Sequence, residues 1–264
     1  MKSNPDLIIT STQNPAVIRF SKLKDDKYRR SEGLFLCEGK KLAEEALAAS
    51  AVKYVLCRND MASEYFSLLE EAGRSSAQIM FLADAPFGKV STEKSPQGII
   101  AVCSCFSHKP NRNDFGPAVM CCGVRDPGNL GAIIRTAAGL GFEDVILFNC
   151  ADIYNPRTVR ASMGTLFKCR IDLIDDPFET IMLLRSTGRR VFATALEERS
   201  LVFGDFELHP SDVFVIGNEG HGLDPELIEK CSDTVCISLK NAVESFNAAI
   251  AAGIILWEQS KTMD

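Results

Sequence analysis

The sequence predicts an α/β fold with a mainly parallel sheet, and two features of the chain support this prediction. Short apolar runs alternate with helix-like segments along nearly all of its length, an order typical of a sheet covered by helices. The runs carry no polar face, as parallel strands buried on both sides require. Hydrophobic residues make up 46% and charged residues 24% of the 264 residues, the composition of an ordinary globular protein.

Apolar runs are predicted to be strands at residues 54–57, 79–82, 99–103, 119–122, 145–148, 191–195 and 213–216. Helices are predicted between them, at residues 40–50, 62–72, 129–140, 178–186 and 245–260. Residues 107–117 are mostly polar and contain proline and glycine, a composition typical of linkers. The sequence therefore predicts a small α/β domain at 1–106, a linker at 107–117 and a larger domain at 118–264.

Charge and cysteine content argue against several classes of protein. The formal net charge of −6 does not suggest a protein coated in nucleic acid, although a local basic patch matters more than the sum. The ten cysteines form no CxxC pair and the three histidines lie far apart, so the spacing of a zinc site is missing. An apolar signal core and a membrane-spanning run are also missing. Reduced, buried thiols in a cytoplasmic protein are the simplest interpretation.

The first segment that could carry chemistry is 124–142, VRDPGNLGAIIRTAAGLGF. Asp126 is predicted to cap a helix that begins at Pro127. Arg135 falls off the apolar stripe of this helix, together with Gly128 and Gly131, so its guanidinium can approach a phosphate or another anion. A plain surface arginine is the alternative. The stripe itself is expected to face the core and consists of Leu130, Ile133, Ile134 and Ala137.

The second segment is 213–223, VFVIGNEGHGL, in which a strand runs directly into a loop with three glycines. Glycines allow a ligand to lie against the backbone, and ligands of open α/β sheets bind at the carboxyl ends of strands. The loop matches neither a Walker A motif nor GxGxxG. Glu219 among these glycines indicates function, whereas His221 is interpreted as a structural hydrogen-bonder. A plain strand-to-helix turn is the alternative.

The third segment is 236–258, CISLKNAVESFNAAIAAGIILWE. Ser245 is predicted to cap the last helix, with Asn247 in its first turn, and a capping role alone is the alternative for Ser245. From Phe246 to Trp257 the helix is apolar on nearly every side. Such a helix is expected to be buried all round, either in the core or in a subunit interface.

In this order, the three segments resemble the three signature motifs of the SpoU/TrmH branch of the SPOUT methyltransferases. Residues 155–167 (NPRTVRASMGTLF) resemble the connecting helix of that family, and residues 14–47 and 95–102 resemble the substrate-binding domain often fused in front of it. The resemblance implies a C-terminal SPOUT methyltransferase domain knotted as a trefoil. It also implies a homodimer with S-adenosylmethionine as cofactor, acting as an RNA ribose 2′-O-methyltransferase.

The resemblance also implies roles for particular residues. Arg135 matches the arginine expected to bind the phosphate of the target nucleotide and to polarise the 2′-hydroxyl, and Asn129 and Glu219 match residues thought to order it. Ser245 and Asn247 match the pair that lies beside donor and ribose. The donor itself is expected to contact Ala195, Gly217, Ile237, Leu239 and Phe246. The third motif departs from the family pattern, which usually has Pro, Gly, Leu and Val, at Ser238, Asn241, Phe246 and Ala248.

A basic island in the N-terminal region is expected to contact the RNA backbone without sequence selectivity, with a solvated charged face as the alternative. Ribosomal RNA is favoured over transfer RNA as the substrate because of the additional N-terminal domain. Two other functions are considered: a transfer RNA 2′-O-methyltransferase, and a non-catalytic RNA-binding SPOUT homologue. The predicted RNA-binding residues are Arg19, Lys22, Lys27, Arg29, Arg30 and Lys40.

Overall fold

The computed structural model describes residues 8–106, 114–197, 199–240 and 245–263, which form two compact units. The first unit comprises the residues up to Phe106 together with Tyr154–Phe167, and the second comprises the remainder. The sequence placed 154–167 in the second domain, whereas here this segment packs with the N-terminal residues. Its aromatic side chains explain the difference, because Tyr154 and Phe167 contact Phe35 at ring-centroid distances of 4.7 and 6.2 Å.

The first unit is a five-stranded mixed sheet in the order β1-β4-β3-β5-β2. Its strands are β1 (Ile8–Ile9), β2 (Leu34–Glu38), β3 (Val52–Arg58), β4 (Gln78–Leu82) and β5 (Ile99–Ser104). Strand β5 runs antiparallel to both neighbours, β3 and β2, while the other pairs are parallel. The helices are α1 (Pro15–Ser21), α2 (Asp26–Glu32), α3 (Lys40–Ala48), α4 (Phe66–Arg74), α5 (Asp84–Val90) and α7 (Pro156–Ser162).

The second unit is a seven-stranded sheet in the order β10-β12-β9-β11-β6-β7-β8, in which all described pairs are parallel. Its strands are β6 (Ala118–Cys122), β7 (Asp144–Phe148), β8 (Arg170–Leu173), β9 (Val191–Thr194), β10 (Leu201–Val202), β11 (Val213–Ile216) and β12 (Asp233–Cys236). The helices are α6 (Pro127–Gly139), α8 (Pro177–Ser186), α9 (Pro225–Lys230) and α10 (Ala248–Ser260). The prediction of a mainly parallel sheet is confirmed for this unit.

The parallel sheet positions the site by bringing distant segments to one edge. The central strand β11 pairs with β6 on one side and β9 on the other, although both are far from it in sequence. In such sheets the loops at the carboxyl ends of the strands diverge and leave a crevice for ligands. Helix α10 packs against α6 and so returns the end of the chain to this region. The trefoil knot stays a prediction of the family resemblance. Asn241, where the third motif departs from the family pattern, lies outside the described residues.

The structure corrects the predicted N-cap of the last helix. Its N-cap is Asn247, whose side-chain oxygen accepts from the N–H groups of Ala249 and Ile250, so the predicted cap at Ser245 is wrong. Within the single chain the helix is buried on one face only, so burial all round in the core is excluded, while burial in a subunit interface stays a prediction. One face is buried through Ala248, Ala252, Ile255, Leu256 and Gln259, whereas Ile250 and Trp257 on the other face are 54% and 56% exposed.

Candidate active site

A cavity of about 290 Å³ opens at the carboxyl ends of β9, β11 and β12. Its wall comes from the loops that follow these strands and from the start of α10. All five residues predicted to bind the methyl donor line it, as does Ser245; they are Ala195, Gly217, Ile237, Leu239 and Phe246. Leu196, which sequence analysis did not single out, also lines this donor cavity and is 77% exposed.

Asn218 holds the loop after β11 in shape. Its backbone forms a pair of hydrogen bonds with Gly222, at 2.9 and 3.0 Å, and its side-chain oxygen accepts from the N–H groups of Gly220 and His221. Its side-chain amide donates to the carbonyl of Gly123 at 2.8 Å, in the loop after β6. Asn218 therefore ties the second motif to the first. Sequence analysis missed this role because the partner lies 95 positions away.

Gly217 is required by its own loop. A Cβ atom at this position would lie 2.8 Å from the backbone carbon of Gly222 and 3.0 Å from Cγ of Leu223. Real Cβ atoms do not approach backbone so closely, so any larger residue would force the loop to move. The sequence suggested that the glycines leave room for a ligand. At Gly217, however, the space that a side chain would take is filled by Gly222 and Leu223 of the same loop.

The carboxylate of Glu219 accepts three hydrogen bonds from residues of the first motif. Its Oε1 accepts from the side-chain amide of Asn129 at 2.9 Å and from the N–H of Asp126 at 3.3 Å, and its Oε2 accepts from the N–H of Arg125 at 3.2 Å. Asp126 in turn caps α6 through the N–H of Asn129, as predicted. The carboxylate therefore fixes the start of α6 against the loop after β11.

The hydrogen bonds at Glu219 keep its carboxylate ionised. Burial works to raise the pKa of Glu219, but hydrogen bonds from Asn129 and from the backbone N–H groups of Glu219, Arg125 and Asp126 outweigh it and lower the pKa. A carboxyl group with a lowered pKa and both oxygens engaged is a poor acceptor for the proton of a hydroxyl. Glu219 is therefore suited to ordering its neighbours rather than to acting as a base.

Asn247 connects the third motif to the other two. Its side-chain amide donates to Oδ1 of Asn129 at 3.0 Å, while its own oxygen caps α10. Glu219, Asn129 and Asn247 thus form one hydrogen-bonded chain across all three motifs. This chain, the asparagine–glutamate group, unites three of the five predicted catalytic residues.

The other two predicted catalytic residues are exposed. Ser245 lies at the wall of the donor cavity. Arg135 lies on α6 six residues after Asn129, about 9 Å along the helix axis at 1.5 Å per residue. Its side chain is solvent-exposed and makes no hydrogen bond or ion pair with any residue that the structure describes. The core stripe of α6 is confirmed, but Gly131, expected off the stripe, is buried as well.

The predicted RNA-binding residues of the first unit have unequal surroundings. Lys22, Lys27, Arg30 and Lys40 are exposed, and Arg19 is paired with Glu32 at 2.6 Å. Arg29 is different: it is 3% exposed, and its guanidinium donates to the carbonyls of Leu23 and Lys24. The assignment of Arg29 to RNA contact is corrected, because its charge is used to hold the backbone before α2.

Comparison with known proteins places this geometry in a family. Residues 116–257 match the model of the SpoU rRNA Methylase family, and residues 14–101 match that of the MRM3-like substrate binding domain. The chain is 32% identical over 253 residues to the 23S rRNA (guanosine(2553)-2′-O)-methyltransferase RlmP of Bacillus subtilis, with 94% of this chain and 97% of that protein covered.

Two solved structures show the same architecture. The AdoMet-bound rRNA methyltransferase from Sinorhizobium meliloti superposes with a TM-score of 0.87 at 27% identity, covering 99% of this chain and 100% of that one. The SpoU methyltransferase AviRb from Streptomyces viridochromogenes, in complex with AdoMet, gives a TM-score of 0.81 at 25% identity, covering 95% and 98%. The matched region contains the first two sequence motifs and all of the third except its last residue, Glu258. The chain therefore belongs to the SpoU rRNA methylase family.

Proposed function

We propose that this protein is an S-adenosylmethionine-dependent ribose 2′-O-methyltransferase of ribosomal RNA. The observation that carries the proposal is the asparagine–glutamate group, which joins all three motifs beside a cavity of ligand size. The relative from Bacillus subtilis is named for this reaction on 23S rRNA, and the neighbour from Sinorhizobium meliloti is described as an rRNA methyltransferase. These names support ribosomal RNA as the substrate over transfer RNA.

The donor cavity fits S-adenosylmethionine. Its volume is close to the roughly 300 Å³ at which sites for small ligands begin. Apolar side chains such as Ile216, Val235 and Ile255 can contact an adenine ring, and the bare backbone at Gly220 can approach the ligand closely. Backbone groups of the loops after β9, β11 and β12 would hold the adenosine and methionine parts.

When bound, S-adenosylmethionine supplies an electrophilic methyl group. A ribose 2′-hydroxyl is a weak nucleophile at neutral pH, so the protein must orient it and stabilise its charge. Asn247 is suited to orientation because both ends of its amide are fixed, one by Asn129 and the other by the cap of α10. Ser245 lies at the wall of the donor cavity.

Arg135 binds the phosphate of the target nucleotide in this proposal. Its guanidinium has no partner among the described residues, so it can contact an incoming anion without breaking an existing ion pair. A guanidinium stays protonated at neutral pH and presents a fork of donors that matches phosphate. It acts as an electrostatic clamp on the nucleotide and lowers the cost of deprotonating the hydroxyl.

The first unit supplies RNA affinity. Lys22, Lys27 and Lys40 are exposed and carry charge that phosphates can neutralise, which gives affinity without base selectivity. The match to a substrate-binding domain model over residues 14–101 supports this role. We place the reaction in the cytoplasm, where ribosomal RNA is found and where free thiols such as those of this chain stay reduced.

The test is a binding titration followed by methyl transfer. We expect saturable binding of S-adenosylmethionine and S-adenosylhomocysteine in calorimetry. With methyl-labelled donor, we expect label in 23S rRNA transcribed in vitro and none in transfer RNA. Label in transfer RNA alone would support the transfer RNA enzyme instead. Donor binding without transfer to any RNA would support a non-catalytic RNA-binding protein.

A homodimer is proposed from the exposed face of α10. Phe246, Ile250 and Trp257 are 40%, 54% and 56% exposed and lie on or beside this helix. Exposed apolar stripes of this kind mark protein–protein interfaces. We expect a dimer in sedimentation velocity, and monomers for Ile250→Asp combined with Trp257→Asp. Met182→Asp, at an exposed methionine on α8, should remain dimeric. A monomeric wild-type protein at micromolar concentration would contradict the proposal.

A further inference from the structure

A second cavity in the same unit has no role in the mechanism above. It has a volume of about 360 Å³ and lies at the carboxyl ends of β6 and β7. Asn218 and Gly222 line both cavities, so this second cavity adjoins the donor cavity. The rim between them consists of interlocked loops, because Asn218 donates to Gly123 and the N–H of Arg125 donates to Glu219. A group held in the second cavity would therefore lie next to the asparagine–glutamate group.

The wall of the second cavity can stack and hydrogen-bond a planar ring. Phe148 and Phe178 are half-buried and provide aromatic surface. Arg125 and Asn149 are exposed at the cavity, and their side chains form no hydrogen bond with the described part of the chain. Asp224 uses one carboxylate oxygen to cap α9, through the N–H of Glu226 at 2.9 Å, and no described residue pairs with its other oxygen.

Asn149 adds an independent sign of specialisation. Its φ of +51° lies in the left-handed region that favours glycine, and asparagine is one of the few other residues that tolerate it. Outliers of this kind cluster at ligand sites, where the surrounding structure holds them. The conformation presents an amide at the mouth of a cavity that already contains two aromatic rings.

We propose that the second cavity binds the base of the nucleotide whose ribose is methylated, and that guanine is the base it fits. This inference rests on the proposed function. The 2-amino group of guanine can donate to the carboxylate oxygen that Asp224 leaves open, and the O6 of guanine can accept from Arg125 or Asn149. Adenine has no 2-amino group and no carbonyl oxygen, so it cannot form these hydrogen bonds. The base must leave its stack to enter, as in other enzymes that enclose a nucleotide.

Three substitutions test the cavity: Phe178→Ala removes an aromatic wall, Asn149→Ala removes the amide, and Asp224→Ser removes the carboxylate while serine still caps α9. We expect single-turnover methyl transfer to 23S rRNA to fall about tenfold or more for Phe178→Ala. A similar loss is expected for Asp224→Ser. The Kd for S-adenosylmethionine should stay within twofold of wild type, which shows that the fold and donor cavity are intact. Met182→Ala, on the same helix as Phe178, is the matched control and should methylate at the wild-type rate.

Mapping the methylated nucleotide tests the choice of base. We expect a guanosine, and we expect that inosine at that position, which lacks the 2-amino group, lowers the rate for wild type but not for Asp224→Ser. A mapped nucleotide other than guanosine, or wild-type rates in all three variants, would overturn this inference while leaving the methyltransferase proposal standing. If the wild-type protein transfers no methyl group to any rRNA, the proposed function itself fails, and this inference fails with it.

Discussion

Replacing Arg135 with alanine is expected to lower the rate of methyl transfer at least about a hundredfold, because a preorganised charge at the reacting nucleotide is lost. The affinity for S-adenosylmethionine should stay within about twofold of wild type. Arg135 is absent from the lining of the donor cavity, and its side chain contributes no hydrogen bond to the described structure. Single-turnover kinetics on rRNA and calorimetry with the donor measure the two effects separately.

Two further variants sharpen this prediction. Arg135→Lys keeps the charge but loses the fork of donors, so its rate should lie between those of wild type and Arg135→Ala. Lys230→Ala removes an exposed cation from α9 of the same unit and should leave the rate unchanged. Loss of donor binding in Arg135→Ala would contradict the assigned role, since a phosphate clamp acts on the RNA and not on the donor. An unchanged rate would contradict it equally.

Much of the fold could be predicted from the sequence because hydrophobic patterning is local. Runs such as 213–216 are apolar at every position and match strands of the structure, here β11. The strands that were missed lack this signal. In β8 only the two central residues are buried, between an exposed arginine and an exposed leucine, and β10 is only two residues long. Strand β2 is the exception, because its residues 34–37 are all apolar and buried and were nevertheless left out of the predicted strands.

The placement of 154–167 could not be predicted because it depends on contacts between distant residues. The segment follows β7 in sequence, yet its rings pack against Phe35 and Phe106 of the first unit. Only the three-dimensional arrangement shows this aromatic cluster. The buried state of Arg29 has the same origin: charge patterning suggested a surface residue, but the backbone carbonyls it binds become available only after folding.

The sequence predicted which residues belong to the candidate site, but not the hydrogen bonds that join them. The motifs identified Asn129, Glu219 and Asn247 as residue types suited to a polar site. The hydrogen bonds that join them span 90 and 118 positions, which no local pattern encodes. The cap of α10 was assigned to Ser245 because serine is a common cap, whereas Asn247 both caps the helix and reaches Asn129. Both Ser245 and Asn247 are acceptable caps by residue type, and the contact of Asn247 with Asn129 favours Asn247.

Replacing Gly217 with alanine is expected to abolish high-affinity donor binding, with at least a tenfold increase in Kd, and to destabilise the protein by about 1–3 kcal/mol through overpacking. The added methyl group would lie 2.8 Å from the backbone carbon and 2.9 Å from the oxygen of Gly222. Gly222 cannot retreat easily, because two hydrogen bonds hold it to Asn218 and its φ is +69°. The loop must therefore shift, and with it Glu219 and the wall of the donor cavity.

Two glycine variants separate this steric effect from the general effect of adding a methyl group. At Gly220, in the same loop, a Cβ would meet only Oδ1 of Asn218 at 3.6 Å, and at Gly139, in α6, it would meet nothing within 4 Å. The free energy of unfolding in urea should stay within about 0.5 kcal/mol of wild type for Gly220→Ala and Gly139→Ala. Wild-type stability and donor affinity in Gly217→Ala would show that the loop adapts at little cost. The close packing of Gly217 against Gly222 would then not be what shapes the donor cavity.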